Sequence, residues 1–119
     1  MMKTLLFLLT CWVTLGLVQC KKDADVSPKP CSGLIQAKIE ELKSKPKQNP
    51  AARIYEYQYQ GRTVYTISAD CCDQFNTVYD ECLKPICAPS GGITGRGDGK
   101  CPDFAAKATN ERLIWLDPR

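Results

Sequence analysis

Histidine is absent from this chain of 119 residues. Histidine is the usual general base near neutral pH and a common zinc ligand, so its absence removes the simplest basis for both kinds of site. The cysteines also lack the two CxxC pairs that are typical of a zinc site. The sequence therefore argues against zinc and predicts no cofactor.

Neither sign of charge is in large excess, since 16 Lys and Arg stand against 13 Asp and Glu. The basic residues are concentrated in residues 38–47, where Glu40 and Glu41 interrupt them. That alternation is typical of a solvated helix face. A formal net charge of +3 argues against nucleic acid as a partner.

No apolar run is long enough to cross a membrane. Residues 5–18 are uncharged and follow Lys3, which is the pattern of a secretory signal peptide. An A-x-A cleavage site is missing, but Leu17 stands three residues before Cys20. This arrangement resembles the lipobox of bacterial lipoproteins, in which that cysteine receives lipid and becomes the mature N-terminus. Gln19 departs from the small residue usual there, so plain secretion and an uncleaved anchor are the alternatives.

Three segments follow from this interpretation. Residues 1–19 are predicted to be the lipoprotein signal peptide, and their removal lowers the formal net charge to +2 because only Lys3 is lost. Residues 20–30 are charged and proline-containing, which suits a flexible tether. Residues 31–119 are predicted to form a single domain.

Six cysteines remain for that domain, and an even number in a small exported chain predicts three disulfides, worth about 2–4 kcal/mol each. Neighbouring strand residues point to opposite faces, so Cys71 and Cys72 are expected to bond different partners. The spacing of Cys82 and Cys87 could close a small hairpin. The six are Cys31, Cys71, Cys72, Cys82, Cys87 and Cys101.

The repeating patterns predict one helix followed by strands. Residues 33–44 place Ile35, Ile39 and Leu42 on one stripe, and Ser32 is expected to cap that helix. Residues 53–59 and 62–67 alternate with period two around a two-residue loop and predict a β-hairpin. Its register pairs Tyr57 with Val64, Tyr55 with Thr66, Ile54 with Ile67 and Glu56 with Tyr65.

One face of this hairpin carries Tyr55, Tyr57, Tyr59 and Val64. A core face packed under the helix is the commoner use of such a row, while a platform that stacks a sugar or base is the alternative. Residues 75–79 and 85–87 predict a second hairpin, and residues 112–116 a last strand. The fold class is α+β: an N-terminal helix packed on an antiparallel sheet of about four to five strands.

Residues 91–100, the glycine loop, read as a turn with several positive-φ positions. Asp98 and Asp103 are weak calcium candidates, because carboxylates are hard oxygen ligands. Arg96 could be presented as in a protease inhibitor, and residues 96–98 spell the adhesion tripeptide Arg-Gly-Asp. The spacing matches no phosphate-binding loop.

Five segments together resemble a family of small uncharacterised envelope lipoproteins of Bacteroidota-type bacteria: residues 57–65, 71–75, 86–92, 95–104 and 113–115. The resemblance implies an envelope lipoprotein and supplies no activity, since the family is a domain of unknown function. It also implies anchoring in the outer membrane, on either leaflet.

The leading functional hypothesis is a monomeric, non-catalytic binding or structural module that is tethered through lipid on Cys20. An envelope protein or a glycan would be its partner, and Tyr55, Tyr57, Tyr59, Arg96, Asp98 and Asp103 are the candidate binding residues. The alternative is an envelope enzyme or a protease inhibitor that uses the glycine loop.

The lipobox-like pattern gives a first prediction. Cys20→Ala should release the protein from the membrane fraction or block its processing, because the lipid acceptor is lost. Fractionation and immunoblotting of cells that express the two forms measure this. Equal retention and processing of both forms would contradict lipidation.

Overall fold

The computed structural model describes residues 31–119, and the order of elements within them agrees with the predicted α+β class. A helix precedes an antiparallel sheet of five strands, and a second, short helix lies before the last strand. The elements are α1 (Leu34–Ser44), β1 (Arg53–Tyr59), β2 (Arg62–Ile67), β3 (Phe75–Tyr79), β4 (Pro85–Gly91), α2 (Phe104–Lys107) and β5 (Thr109–Leu116). The predicted signal peptide and tether lie outside the described residues.

The first hairpin has the register that the alternation predicts. Tyr57 pairs with Val64 and Ile54 pairs with Ile67 across β1 and β2. Gln60 and Gly61 both have positive φ, at 51° and 73°, which gives the turn the twist that hairpin strands require. The predicted second hairpin is β3–β4, and β5 returns to pair with β1, so the sheet order is β4-β3-β2-β1-β5.

The helix α1 covers the face of the sheet opposite to the tyrosines. Its predicted stripe is confirmed, because Ile39 and Leu42 are buried against Ile54 and Ile67. The expectation that the tyrosine face packs under the helix is therefore wrong. Side chains alternate along β1, so Ile54 and the tyrosines point to opposite sides, and the helix covers the isoleucine side.

Ser32 does not cap α1. Gly33 is the N-cap residue, with a left-handed φ of 86° and no side-chain hydrogen bond at the cap, and its carbonyl accepts a hydrogen bond from the Ala37 N–H at 2.9 Å. The predicted start is thus one residue early, and a glycine that tolerates positive φ begins the helix.

The six cysteines form three disulfides, but with pairings that correct two expectations. Cys31 bonds Cys82, and Cys87 bonds Cys101, with Cα–Cα distances of 4.9 and 5.9 Å. The suggested disulfide between Cys82 and Cys87, which would have closed a small hairpin, is therefore wrong.

Cys71 bonds its neighbour Cys72, which contradicts the expectation of separate partners. That expectation assumed strand geometry, in which adjacent side chains diverge. Cys72 and Asp73 instead have φ of 44° and 61°, so the pair lies in a turn between β2 and β3.

The C-terminal residues clamp the end of α1. The Arg119 guanidinium donates hydrogen bonds to the carbonyl oxygens of Lys43 at 3.2 Å, Lys45 at 2.9 Å and Leu42 at 3.3 Å. It also donates to both carboxylate oxygens of buried Asp117, at 2.7 and 2.9 Å. Helix ends leave carbonyl groups without intrahelical partners, and a cation there is favourable. This ion pair therefore joins the last strand to the first helix.

Asp117 should make stability depend on pH. Its hydrogen bonds with Arg119 lower its pKa from 3.8 to about 2. Because the folded pKa lies below the ordinary value, the stabilisation is complete above 3.8 and is lost as the pH falls towards 2. Denaturant midpoints measured by circular dichroism should thus drop over that interval in the wild type.

Asp117→Asn should lower the midpoint at neutral pH and show a smaller drop in acid than the wild type, because Glu41, Asp98 and Asp103, whose pKa values are also lowered, supply the rest of the drop. Asp70→Asn, at an exposed carboxylate, serves as the control and should behave like the wild type. An unchanged acid profile in Asp117→Asn would show that the clamp does not stabilise the fold.

Candidate functional site

The three tyrosines of β1 have different environments. Tyr59 is buried, whereas Tyr55 and Tyr57 are partly exposed on the face that α1 leaves free. The rings of Tyr55 and Tyr57 are 6.3 Å apart at a tilt of 39°, and Phe104 packs edge-on against Tyr57 at 5.3 Å and Tyr59 at 5.0 Å. The row is thus partly core and partly surface.

A groove of about 660 Å³ lies along this face, within the usual size range of small-ligand sites. Its floor is formed by side chains of β1 and β2, and its sides by residues of β5, α2, β3 and β4. We call it the tyrosine groove, and its lining includes Arg53, Tyr55, Tyr57, Thr66, Asn76, Ser90, Phe104, Asn110 and Glu111.

A β-bulge shapes one side of the tyrosine groove. Glu56 pairs with Arg112, and Gln58 pairs with Thr109, so Tyr57 on β1 faces two residues of β5, Asn110 and Glu111. Asn110 has a left-handed φ of 54°, which asparagine tolerates better than most residues. The extra residue redirects side chains at this position, and both Asn110 and Glu111 reach the groove.

Glu111 and Tyr57 interact directly. Burial raises the pKa of the Tyr57 hydroxyl, and the charge of Glu111 and its hydrogen bond with that hydroxyl raise the pKa further. The hydroxyl of Thr66 is also a hydrogen-bond partner of Tyr57. Tyr57 therefore remains a neutral phenol beside the carboxylate of Glu111.

Asp103 supports the scaffold of the groove. Its carboxylate accepts a hydrogen bond from the Tyr59 hydroxyl at 2.7 Å and pairs with Lys107 at 3.0 Å. These contacts lower the pKa of Asp103, and the same hydrogen bond raises the pKa of Tyr59. The effect is to hold α2, and with it Phe104, against the tyrosine face.

The carboxylate of Asp98 is also already hydrogen-bonded, in this case to the backbone. Its carboxylate accepts a hydrogen bond from the Lys100 N–H at 3.0 Å, and this and other backbone hydrogen bonds lower its pKa. Among residues 31–119, no group of three or more Cys, Asp or Glu is placed to hold a metal ion. Of the two calcium candidates, Asp98 thus stabilises a turn of the glycine loop, and Asp103 lies at the start of α2.

The remaining candidate residue, Arg96, lies away from the groove. Arg96 is exposed in the glycine loop, where its N–H donates to the Thr94 hydroxyl at 3.3 Å. In the turn between β3 and β4, the carboxylate of Asp80 accepts hydrogen bonds from the N–H groups of Cys82 and Lys84.

Sequence reasoning missed Phe104, Asn110 and Glu111. Phe104 belongs to a one-turn helix that has no periodic pattern, and the strand was expected to begin only at Arg112. A bulge produces no regular spacing, so the two polar residues looked like part of a connection.

Within the described part of the chain, no helix has the length and apolar character that a membrane span needs.

The fold and the groove define a small disulfide-bonded α+β domain with a surface cavity. Residues 40–117 match the family model described as Domain of unknown function (DUF6970). The match covers more than half of the chain, and the protein therefore belongs to that family. Neither a curated protein nor a solved structure matches the chain.

The glycine loop offers a matched pair of substitutions. Gly97 and Gly99 both have positive φ, at 74° and 76°, but a Cβ on Gly97 would overlap the Ala88 carbonyl oxygen, whereas one on Gly99 would meet open space. Gly99→Ala should therefore cost about 1 kcal/mol, for backbone strain alone. Gly97→Ala should cost about 3 kcal/mol or more, because it adds a backbone clash.

Denaturant unfolding without reductant measures both values, and Arg96→Ala, at an exposed side chain, should stay within about 0.5 kcal/mol of the wild type. Equal costs at the two glycines would contradict the close approach of the loop to β4.

Proposed function

We propose that this protein is a non-catalytic binding module of the bacterial cell envelope, tethered to a membrane through lipid on Cys20. The lipobox-like sequence and the resemblance to Bacteroidota-type lipoproteins support the tether. Residues 20–30 would then hold the domain away from the outer membrane as a monomer, on either leaflet.

The observation that carries the binding function is the tyrosine groove. Two partly exposed aromatic rings lie beside polar side chains that a bulge directs into the same space. Exposed rings next to a few placed hydrogen-bonding groups are the usual composition of a small-ligand site. The contacts of Asp103 with Tyr59 and of Phe104 with Tyr57 hold the side of the groove in place.

The mature chain from residue 20, with Cys20→Ser in place of the lipid, allows a direct test. Amide NMR spectra recorded with a library of small polar and aromatic fragments should show shifts that cluster around Tyr55, Tyr57 and Asn110. Tyr55→Ala should remove those shifts.

Phe75→Ala is the matched control, because Phe75 is an exposed aromatic residue outside the groove lining. Its fragment shifts should match those of the wild type. A library that shifts no groove residue, or that shifts the same residues in Tyr55→Ala, would overturn the proposed site.

A further inference from the structure

We propose that the tyrosine groove binds an uncharged carbohydrate, with Tyr55 and Tyr57 against the sugar faces and Asn110 and Glu111 bonded to hydroxyl groups. This inference rests on the proposed binding function and names the class of ligand.

The aromatic pair suits the faces of sugar rings. A pyranose presents apolar C–H groups on its faces and hydroxyl groups around its edge, so a partner needs an aromatic surface flanked by polar atoms. Tyr55 and Tyr57 supply the rings, which are neighbours along β1 with centroids 6.3 Å apart at a tilt of 39°.

The side chains around the rings suit hydroxyl groups. An asparagine amide both donates and accepts hydrogen bonds, a carboxylate accepts from hydroxyl groups, and serine or threonine hydroxyls do either. Asn110 and Glu111 lie on one side of the groove, while Asn76 and Ser90, hydrogen-bonded to each other at 3.1 Å, lie on the other. The hydroxyl groups of a saccharide in the groove would therefore find hydrogen-bonding partners on both sides of it.

A peptide suits the groove less well than a sugar, because the floor of the groove is formed by interior strands of the sheet. Extended peptides gain most of their affinity by adding a strand to an open sheet edge. The floor residues belong to β1 and β2, which are flanked by strands on both sides, so a peptide that lies on the floor cannot add a strand there. The unpaired edge of β5 lies outside the floor, beyond the side of the groove that this strand forms.

An anionic ligand such as a nucleotide is also disfavoured. Phosphate recognition relies on several cationic or backbone N–H donors. The lining contains one basic side chain, Arg53, and it is balanced by the carboxylate of Glu111.

Titrations with three probe sets test the ligand class: uncharged tetrasaccharides of glucose, mannose, galactose, xylose and N-acetylglucosamine, tetrapeptides of mixed sequence, and adenosine monophosphate. We expect at least one tetrasaccharide to bind in the millimolar range or tighter, by calorimetry and by NMR shifts at groove residues.

Tyr55→Ala should weaken that binding at least about fivefold, which corresponds to the ~1 kcal/mol that an aromatic contact of this kind is worth. Asn110→Gly removes the amide while it keeps a residue that tolerates positive φ, and should weaken binding several-fold. Phe75→Ala should bind as the wild type does.

The outcomes separate the two proposals. Binding of a peptide or of the nucleotide in the groove, with no binding of any sugar, would overturn the carbohydrate inference and leave the binding module intact. No groove shift with any of the three sets would overturn both. Sugar binding that survives Tyr55→Ala and Asn110→Gly unchanged would overturn the inference by placing the sugar elsewhere.

Discussion

The buried disulfide between Cys87 and Cys101 is the constraint on which the tyrosine face depends. Both cysteines lie in the cluster formed by Tyr59, Val64, Val78 and Phe104, so the bond is part of the core. It returns the chain from the glycine loop to the sheet and places the start of α2 next to Tyr59. The hydrogen bond from Tyr59 to Asp103 then fixes the orientation of that short helix. Without this cross-link a one-turn helix would have little reason to persist, because short helices are marginal on their own.

The domain therefore has two cores of different construction. On the isoleucine side, α1 supplies a continuous apolar stripe, and the ion pair of Arg119 with Asp117 holds the end of the helix. On the tyrosine side, a covalent bond and a single turn of helix cover only part of the sheet. The uncovered part is the tyrosine groove, so the cavity exists because the second layer is too short to reach across β1.

The regular elements were predictable from the sequence because burial on one face leaves a period in the residues. The alternation in residues 53–59 and 62–67 fixed the hairpin register, and Ile35, Ile39 and Leu42 marked the helix. The face that the helix covers was not predictable, since both sides of β1 carry large apolar or aromatic residues. The groove depended further on a bulge at Asn110 and on a disulfide pairing, and both arise from contacts between segments far apart in the chain.

The two edge strands of the sheet, β4 and β5, differ in how many of their backbone groups are free, because the glycine loop packs against β4. The N–H of Asp98 donates to the Ala88 carbonyl at 2.9 Å and that of Gly97 to the Gly91 carbonyl at 3.0 Å, so the loop covers the outer edge of the C-terminal part of β4. Among the described strands, β5 is left with an unpaired outer side, and it carries the exposed Leu113 and Leu116. Growth of a fibril by strand addition needs two free borders on every copy. The loop that covers the end of β4 therefore disfavours growth of an edge-to-edge association beyond a pair joined through β5.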